Sequence, residues 1–145
     1  VIRGCRAADL PALEWFGVFG AQRALLERTF ERHERGEAVM LVAEVNGAAS
    51  GQAWIDLDRE REESVGMIWA VRVFPALQGQ GIGSRLIGAC ERVLRGRGCR
   101  LAEITVERGE DRVRRLYERL GYREKEALTC GQIVMRKSLS GNAGI

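Results

Sequence analysis

A glycine-rich stretch in the middle of the chain carries residue types that suit the binding of an anion. In order, it consists of Gln78, Gly79, Gln80, Gly81, Ile82, Gly83 and Ser84. It stands where an apolar strand pattern gives way to an amphipathic helix pattern, and the N–H groups at a helix N-terminus have no partner within the helix. The helix dipole adds partial positive charge there, and glycine lets the main chain approach a ligand closely. The stretch therefore predicts a phosphate-binding loop, in which Gln78 and Ser84 add donors.

Two common phosphate-binding patterns do not fit this loop. The P-loop needs a lysine before its serine or threonine, whereas Gly83 precedes Ser84. The dinucleotide pattern G-x-G-x-x-G fails whether it is counted from Gly79 or from Gly81. The pattern Q/R-x-x-G-x-G/A does fit, with Gln78 in its first position.

The elements that must position this loop form a mixed order of strands and helices. Apolar periodicity predicts strands over 1–6, 38–45, 48–57, 64–74, 100–107, 122–127 and 132–138, and helices over 22–34, 82–97 and 110–120. A further helix start is predicted at Asp9. Short connections, including the hairpin signal Asn46-Gly47, make the strands between 38 and 74 an antiparallel meander. The strand–helix–strand unit over 64–107 predicts a parallel crossover, so the sheet is mixed.

Three side-chain environments follow from these patterns. The strand over 64–74 is apolar at its centre, which predicts burial on both faces. We interpret His33, near the end of the helix over 22–34, as a helix-surface residue rather than a catalyst. Cys90 falls on the apolar side of its helix and Cys99 opens a strand, so buried reduced thiols are expected.

Size and composition limit the class of protein. A length of 145 residues predicts one domain, which we place over 1–138, with a frayed tail over 139–145. The 23 basic and 20 acidic residues give a net charge of +3, far below the charge of a nucleic-acid-binding surface. One His and four widely spaced Cys argue against a zinc site, and no apolar run reaches the ~20 residues of a membrane span. We therefore expect a cytoplasmic protein without a metal, membrane or nucleic-acid partner.

Two segments of the chain resemble the GNAT superfamily of N-acetyltransferases. The segment AVRVFPALQGQGIGSRLI (70–87) is similar to the strand, proline, loop and helix of that family's core. The segment RRLYERLGYRE (114–124) is similar to its second signature, a helix with a tyrosine shortly before a Leu-Gly-aromatic turn. The resemblance implies an α/β fold with a central, mostly antiparallel mixed sheet. It also implies one splayed parallel strand pair and helices on both faces.

The resemblance further implies acetyl-coenzyme A (acetyl-CoA) as cosubstrate, with the loop holding its pyrophosphate. The pantetheine arm would pair with the main chain near Val71 and Val73, and an N–H around Val71 would face the thioester carbonyl. Tyr117 would be the general acid beside the sulfur, with packing in the core as its alternative role. Family enzymes often carry Asn where this chain has Glu110, which is a departure at one cofactor or substrate contact.

The base that takes the proton from the amine is left open. Asp56, Glu63, Glu103 and Glu107 are candidates, and each equally suits a solvated or ion-paired carboxylate. Met67 stands where some family members place a glutamate, which favours a water-relayed or substrate-proximal base.

The acceptor implied by the resemblance is a primary amine of a small molecule or a protein amino group. We expect it to be recognised by residues in 13–36, 56–64 and 127–132. Aromatic side chains that could line its pocket, or pack in the core, are Trp15, Phe16, Phe19, Trp54 and Trp69. Carboxylates that would favour a cationic acceptor, partly neutralised by Arg59 and Arg61, are Asp56, Asp58, Glu60, Glu62 and Glu63.

Two other functions fit the same residues. One is a catalytically silent coenzyme A-binding sensor module of the same fold. The other is a protein that binds a different phosphate ligand at the same helix N-terminus. Dimers are common in the resembled family, and the sequence leaves monomer and homodimer open.

Overall fold

A computed structural model describes residues 1–13, 20–57 and 64–139 of the chain. Across these ranges the strands are β1 (Ile2–Gly4), β2 (Ala38–Val45), β3 (Ala48–Asp56), β4 (Val65–Val73), β5 (Leu101–Glu107), β6 (Arg123–Ala127) and β7 (Gln132–Ser138). The α-helices there are α1 (Leu10–Leu13), α2 (Gly20–Glu34), α3 (Ile82–Gly96) and α4 (Asp111–Arg119). The strands and long helices expected from periodicity are confirmed, with ends shifted by a residue or two.

The strands form a mixed sheet in the order β1-β2-β3-β4-β5-β7-β6. Neighbouring strands are antiparallel except β4 and β5, which are parallel and are connected through α3. The β2–β3 hairpin turns at Asn46 and Gly47, with φ of 52° and 80°. Both values lie in the left-handed region that a two-residue Asn-Gly turn requires. The expected meander and parallel pair are therefore confirmed.

Helices cover both faces of the sheet, as the fold expectation requires. Along β2, Val39 and Leu41 face a buried cluster formed with α3 and α4, here called the α3 cluster. Met40 and Val42 face a second cluster formed with α1 and α2, here called the α2 cluster. The alternation follows from the two-residue period of a strand. Each helix within the described residues is too short or too polar to cross a membrane.

The expected burial of β4 on both faces is wrong for most of the strand. Gly66 and Ile68 are buried, whereas the stretch from Trp69 to Val73 is half-buried or exposed. The physical reason is that pairing with β5 ends at Ile68, so the second half of β4 has β3 as its partner and no paired strand on the other side.

Glycines set how closely α3 packs on the sheet. A Cβ at Gly66 of β4 would overlap the side chain of Leu94, and a Cβ at Gly51 of β3 would lie 3.2 Å from Leu86 Cδ1. Leu86 and Leu94 are fully buried. Because α3 carries the glycine-rich loop at its N-terminus, this packing fixes where the loop lies relative to β3 and β4.

The end of the described chain differs from expectation. Leu139 is 2% exposed and packs in the α3 cluster, and its N–H donates to Arg100 O at 2.7 Å. The expectation of a frayed tail is therefore wrong at Leu139, because its apolar side chain completes the core beyond β7. The remainder of the predicted tail, 140–145, lies outside the described residues.

His33 is a structural residue rather than a helix-surface one. It is half-buried, and its Nδ1 accepts the Met40 N–H at 3.1 Å. Its Nε2 lies 3.1 Å from Cys5 O. With Nδ1 accepting, the ring proton sits on Nε2 and is donated to Cys5 O. The imidazole thus joins α2 to β2 and to the segment after β1, which sequence spacing could not reveal.

Candidate functional site

The glycine-rich loop has the conformation that its glycines predict. Gly79 and Gly81 have φ of 83° and 82°, and Gly81 is the residue that flanks the start of α3. Both are exposed, and no atom lies within 4 Å of a Cβ placed on either residue. The side chain of Gln78 donates to Val73 O at 3.1 Å, so it holds the loop against the end of β4. Bare main chain therefore faces open space here.

The first turn of α3 supplies donors for an anion. Arg85 N–H closes this turn on Gly81 O at 3.1 Å. By helix geometry, the N–H groups of Ile82, Gly83 and Ser84 before it lack a partner within the helix. The dipole of this 15-residue helix adds positive potential at the same end.

Two parallel strands part immediately before this loop. The pairing of β4 with β5 runs from Val65 and Leu101 to Ile68 and Ile104, although the strands continue to Val73 and Glu107. The second halves of the two strands, 69–73 and 105–107, do not pair with each other. They border what is here called the β4–β5 opening.

A β-bulge in β4 lies beside the opening. Gln52 opposes Arg72 and Trp54 opposes Trp69, so Ala53 stands against two residues of β4. One of those two, Ala70, has a φ of 54°, which is unusual for a residue with a Cβ. Left-handed backbone of this kind costs on the order of 1–3 kcal/mol and often occurs at functional sites.

The main chain beyond the bulge is directed toward the opening. Phe74 N–H donates to Ser50 O at 2.8 Å, so residue 74 faces β3. Successive residues of a strand direct their N–H and C=O groups to alternate sides. Val73, and Val71 two residues before it, consequently face the side of β5. The two residues expected to pair with a ligand are thus on the unpaired edge.

Tyr117 of α4 is buried, but its hydroxyl has no partner among the described residues. The residue is 6% exposed and belongs to the α3 cluster. Burial raises the pKa of Tyr117 to about 12, while the positive charge of Arg72 lowers it. Within the described residues no group hydrogen-bonds this hydroxyl, and it is not sealed from solvent. The phenol is therefore protonated at neutral pH and able to donate.

The candidate bases are already engaged. Glu103 is buried, and it accepts from Arg136 Nε at 2.9 Å and from Lys125 Nζ at 3.2 Å. Asp56 pairs with Arg32 at 3.1 Å.

Two further residues complete the comparison with the sequence-based candidates. Glu107 accepts from Gln132 Nε2 at 3.0 Å, and Glu63 lies outside the described residues. Met67 stands in register between Asp56 and Glu103, at the position expected to lack a carboxylate. Each described candidate thus has the paired role that was its alternative.

Glu110 makes no use of its side chain within the described structure. It flanks the start of α4, it is exposed, and its side chain makes no capping hydrogen bond.

The expected aromatic pocket is described only in part. Trp54 is 3% exposed, and its ring meets that of Trp69 edge to face at 4.8 Å between centroids. Trp54 Nε1 donates to Gln52 Oε1 at 2.9 Å. Trp54 therefore packs in the α2 cluster, and Trp69 is half-buried against it. The other predicted acceptor residues, which are Trp15, Phe16, Phe19, Asp58, Arg59, Glu60, Arg61, Glu62 and Glu63, lie outside the described residues.

Arg72 is a residue of the opening that the sequence analysis did not single out. It stands between Val71 and Val73 and is exposed. A cation inside the otherwise apolar run from Val65 to Val73 was the signal that could have identified it.

The four cysteines form no disulfide with one another. Burial raises the pKa of Cys5 and of Cys90 to about 12. Across 1–13, 20–57 and 64–139, no three His, Cys, Asp or Glu side chains are grouped as a metal site would need.

Comparison with known proteins relates this geometry to one family. The model of the Acetyltransferase (GNAT) family matches residues 6–122. The PaiA N-acetyltransferase from Thermoplasma acidophilum, solved in complex with coenzyme A, is similar with a TM-score of 0.81 and 15% identity, over 95% of this chain and 98% of that one.

Two further solved structures share the fold. An N-acetyltransferase from Staphylococcus aureus is similar with a TM-score of 0.83 and 16% identity, over 97% of this chain and 98% of that one. The ribosomal-protein-alanine N-acetyltransferase from Brucella melitensis gives a TM-score of 0.79 and 22% identity, over 95% and 99% of the two chains.

Proposed function

The chain belongs to the GNAT family of acetyltransferases, and on that premise we propose that it transfers an acetyl group from acetyl-CoA to a primary amine. The amine belongs to a small molecule or a protein, and it attacks directly while both substrates are bound. One observation carries the proposal: β4 parts from β5 at Ile68 and continues, with one edge unpaired, to the exposed glycine-rich loop. An extended arm and a diphosphate can be held along that line.

The loop suits the diphosphate of acetyl-CoA. Its exposed amides and the positive end of α3 favour an anion, and Gly79 and Gly81 place no side chain in the way. One structural neighbour was solved with coenzyme A, which supports this choice of ligand. Acetyl-CoA supplies an acetyl group that is activated as a thioester.

The unpaired edge of β4 has two tasks in this proposal. Val71 and Val73 pair with the amides of the pantetheine arm, as a neighbouring strand would. The N–H around Val71 donates to the oxygen that gains negative charge as the amine attacks. A main-chain donor placed in advance needs no reorganisation at that moment, which is why such donors are effective.

Tyr117 donates its proton to the sulfur that leaves. A phenol with a pKa of about 12 is a weaker acid than a thiol, so the expected gain is at the low end for acid catalysis, about 10²-fold or less. The freedom of this hydroxyl from protein partners supports the role over pure packing.

The proton of the incoming amine leaves by water or by a group near the acceptor. An ordinary alkyl amine has a pKa near 10.4 and must lose a proton before it attacks. Glu103 and Asp56 are held by cations and are poor bases in that state. This pairing favours a relay through water.

Thermal shift measurements test the ligand. Acetyl-CoA at 100 times its Kd should stabilise the fold by about 2.7 kcal/mol, whereas NAD and ATP should not. Equal stabilisation by all three would support a general phosphate site and contradict the proposal.

Release of free thiol from acetyl-CoA, measured across a panel of amines and peptides, tests the reaction. An N-acetyltransferase releases thiol in proportion to acetylated amine, identified by mass. Binding of acetyl-CoA without thiol release from any acceptor would instead indicate the silent coenzyme A-binding module.

A further inference from the structure

We propose that Arg72 binds a carboxylate that the acceptor carries beside its amine, so that the acceptor is an amino acid or another amino-carboxylate. This inference rests on the proposed acetyltransferase function and names the substrate class of the same site.

Arg72 lies at the β4–β5 opening, on the face of the sheet opposite α3. Val71 and Val73, on either side of it, pack against the α3 cluster. Because side chains alternate along a strand, Arg72 projects from the face that α1 and α2 cover elsewhere in the sheet. The half-buried Trp69 lies on that same face, in the α2 cluster.

Arg72 has no carboxylate partner within the described residues, in contrast to two half-buried arginines. Arg3 pairs with Asp9 at 2.7 Å and Arg32 pairs with Asp56 at 3.1 Å. The side chain of Arg72 is exposed, and no ion pair or hydrogen bond joins it to a described group. Its five guanidinium donors are therefore available to a ligand.

Arg72 and Tyr117 lie on opposite faces of the sheet. Tyr117 comes from α4 in the α3 cluster, whereas Arg72 comes from the other face. The positive charge of Arg72 lowers the pKa of Tyr117, against the larger effect of burial. A ligand held by Arg72 at the opening would lie between the guanidinium and the face of the sheet that carries Tyr117.

Two carboxylates on the same face are neutralised by cations, whereas Glu107 accepts from the neutral amide of Gln132. Asp56 pairs with Arg32, and Glu103 pairs with Lys125 and Arg136. The described part of this face therefore offers the unpaired cation of Arg72 on β4, while Glu107 on β5 is held by a neutral amide. The guanidinium of Arg72 attracts an acid, and its planar shape can bind a carboxylate through two parallel hydrogen bonds.

The experiment compares free amino acids with their carboxamides, in which a neutral amide replaces the carboxylate. The panel contains the twenty free amino acids, the matching amides, a polyamine and short peptides, with thiol release as the measure. We expect kcat/KM to be roughly 10- to 100-fold higher for an acid than for its amide, as the loss of one charge-assisted interaction predicts.

Variants assign that preference to one side chain. Arg72→Gln should remove the acid-over-amide preference by raising KM for the acid far more than KM for the amide, with the Kd for acetyl-CoA unchanged. Arg72→Lys should keep part of the preference. Arg115→Gln is the matched control, because Arg115 is exposed on α4 and lies about 200° around the helix from Tyr117.

Several outcomes overturn the inference. They are equal turnover of acids and amides, a preference for the polyamine, an unchanged preference in Arg72→Gln, or a weaker Kd for acetyl-CoA in that variant. If other amines are still acetylated when one of these results is found, the proposed acetyltransferase function stands and only the role of Arg72 is contradicted. Absence of thiol release from the whole panel contradicts the proposed function and this inference together.

Discussion

Tyr117 and Tyr122 differ in what their hydroxyl groups meet. Tyr122 donates to Glu91 Oε2 at 2.8 Å in a fully buried site, where Lys137 Nζ also lies 3.0 Å from Glu91 Oε1. Tyr117 stands 6.3 Å away between ring centroids, with a hydroxyl that no described group binds. Tyr122 holds α3 to the strands that follow α4, whereas Tyr117 is available for chemistry.

Replacement of Tyr117 should therefore affect rate more than stability. Tyr117→Phe is expected to lower thiol release about 10- to 100-fold, because a donor to the leaving sulfur is lost. The Kd for acetyl-CoA and the melting temperature should change little, since the hydroxyl bonds to no group in the described part of the chain. Unchanged turnover with an active acceptor would assign Tyr117 to packing alone.

Replacement of Glu91 should, by contrast, affect stability. Glu91→Ala should lower the free energy of unfolding by about 3–5 kcal/mol, because Lys137 and Tyr122 are left unpaired in a buried site. Glu118→Ala is the control, since Glu118 is partly exposed and contacts Arg114 at 3.6 Å. Its effect should stay below about 1 kcal/mol. Urea unfolding measures both, and equal effects would show that the buried network adds nothing.

At the scale of elements, the loop before α3 combines an unusual backbone with open space. Gly81→Ala should weaken acetyl-CoA binding at least tenfold, because a Cβ enters the space in which the diphosphate is proposed to lie. Gly98→Ala supplies a strain control at the other end of α3. Gly98 has a φ of 84°, and its Cβ would likewise meet no atom within 4 Å.

Both glycine variants should lose similar stability, about 1–2 kcal/mol, from the left-handed backbone. Calorimetric titration with acetyl-CoA separates the two effects. If Gly98→Ala weakens binding as much as Gly81→Ala does, strain rather than ligand contact is responsible.

The contact between α3 and β4 gives a second prediction for an element. Gly66→Ala should destabilise the fold by about 1–3 kcal/mol or more, because the new Cβ overlaps Leu94. In a Leu94→Ala background the same change should cost much less, since the obstructing side chain is gone. Additive effects in urea unfolding would contradict this close approach. Gly88→Ala on α3, where the nearest atom is 3.8 Å away, should be neutral or stabilising.

At the scale of the whole molecule, two buried carboxylates predict how stability depends on pH. The hydrogen bond from Arg3 lowers the pKa of Asp9. Burial alone would raise the pKa of Glu103, but hydrogen bonds from Arg136 and Lys125 outweigh it and the pKa is lowered. Both groups release their proton more readily in the folded state than in the unfolded chain.

The stability that these two groups contribute is therefore complete above the unfolded pKa values, near 4, and is lost as pH falls through the lower folded values. Unfolding free energies measured by urea at pH 7, 5 and 3 should be similar at the first two and smaller at the third. Asp9→Asn with Glu103→Gln should reduce that drop. An unchanged drop would place the acid sensitivity in other groups.

Local signals in the sequence predicted most of this architecture. Asn46-Gly47 fixed a hairpin, and Gly121 ended α4 with two bonds that reach back into the helix, from Tyr122 N–H to Tyr117 O and from Gly121 N–H to Glu118 O, each at 3.0 Å. The positive φ at Gly79 and Gly81 follows the same kind of local rule.

What the sequence did not predict depends on distant partners. The burial of Leu139, the hydrogen bonds of His33 and the exposure of the second half of β4 are set by neighbours across the sheet. The proposed role of Arg72 rests on its lack of a carboxylate partner among the described residues, which the sequence alone does not reveal. The roles of Val71, Val73, Tyr117 and the loop residues in binding and catalysis stay predictions.

The single extra residue at Ala70 changes the phase of β4. Before it, Ile68 faces the α3 cluster, and after it Val71 and Val73 do, although an uninterrupted alternation would turn those two outward. If the same residues alternated without a bulge, Arg72 would point into the apolar layer beneath α3 and the surface beside Trp69 would carry a valine. The local distortion of one strand thus decides which side of the sheet is electrically charged at the place where two substrates would meet.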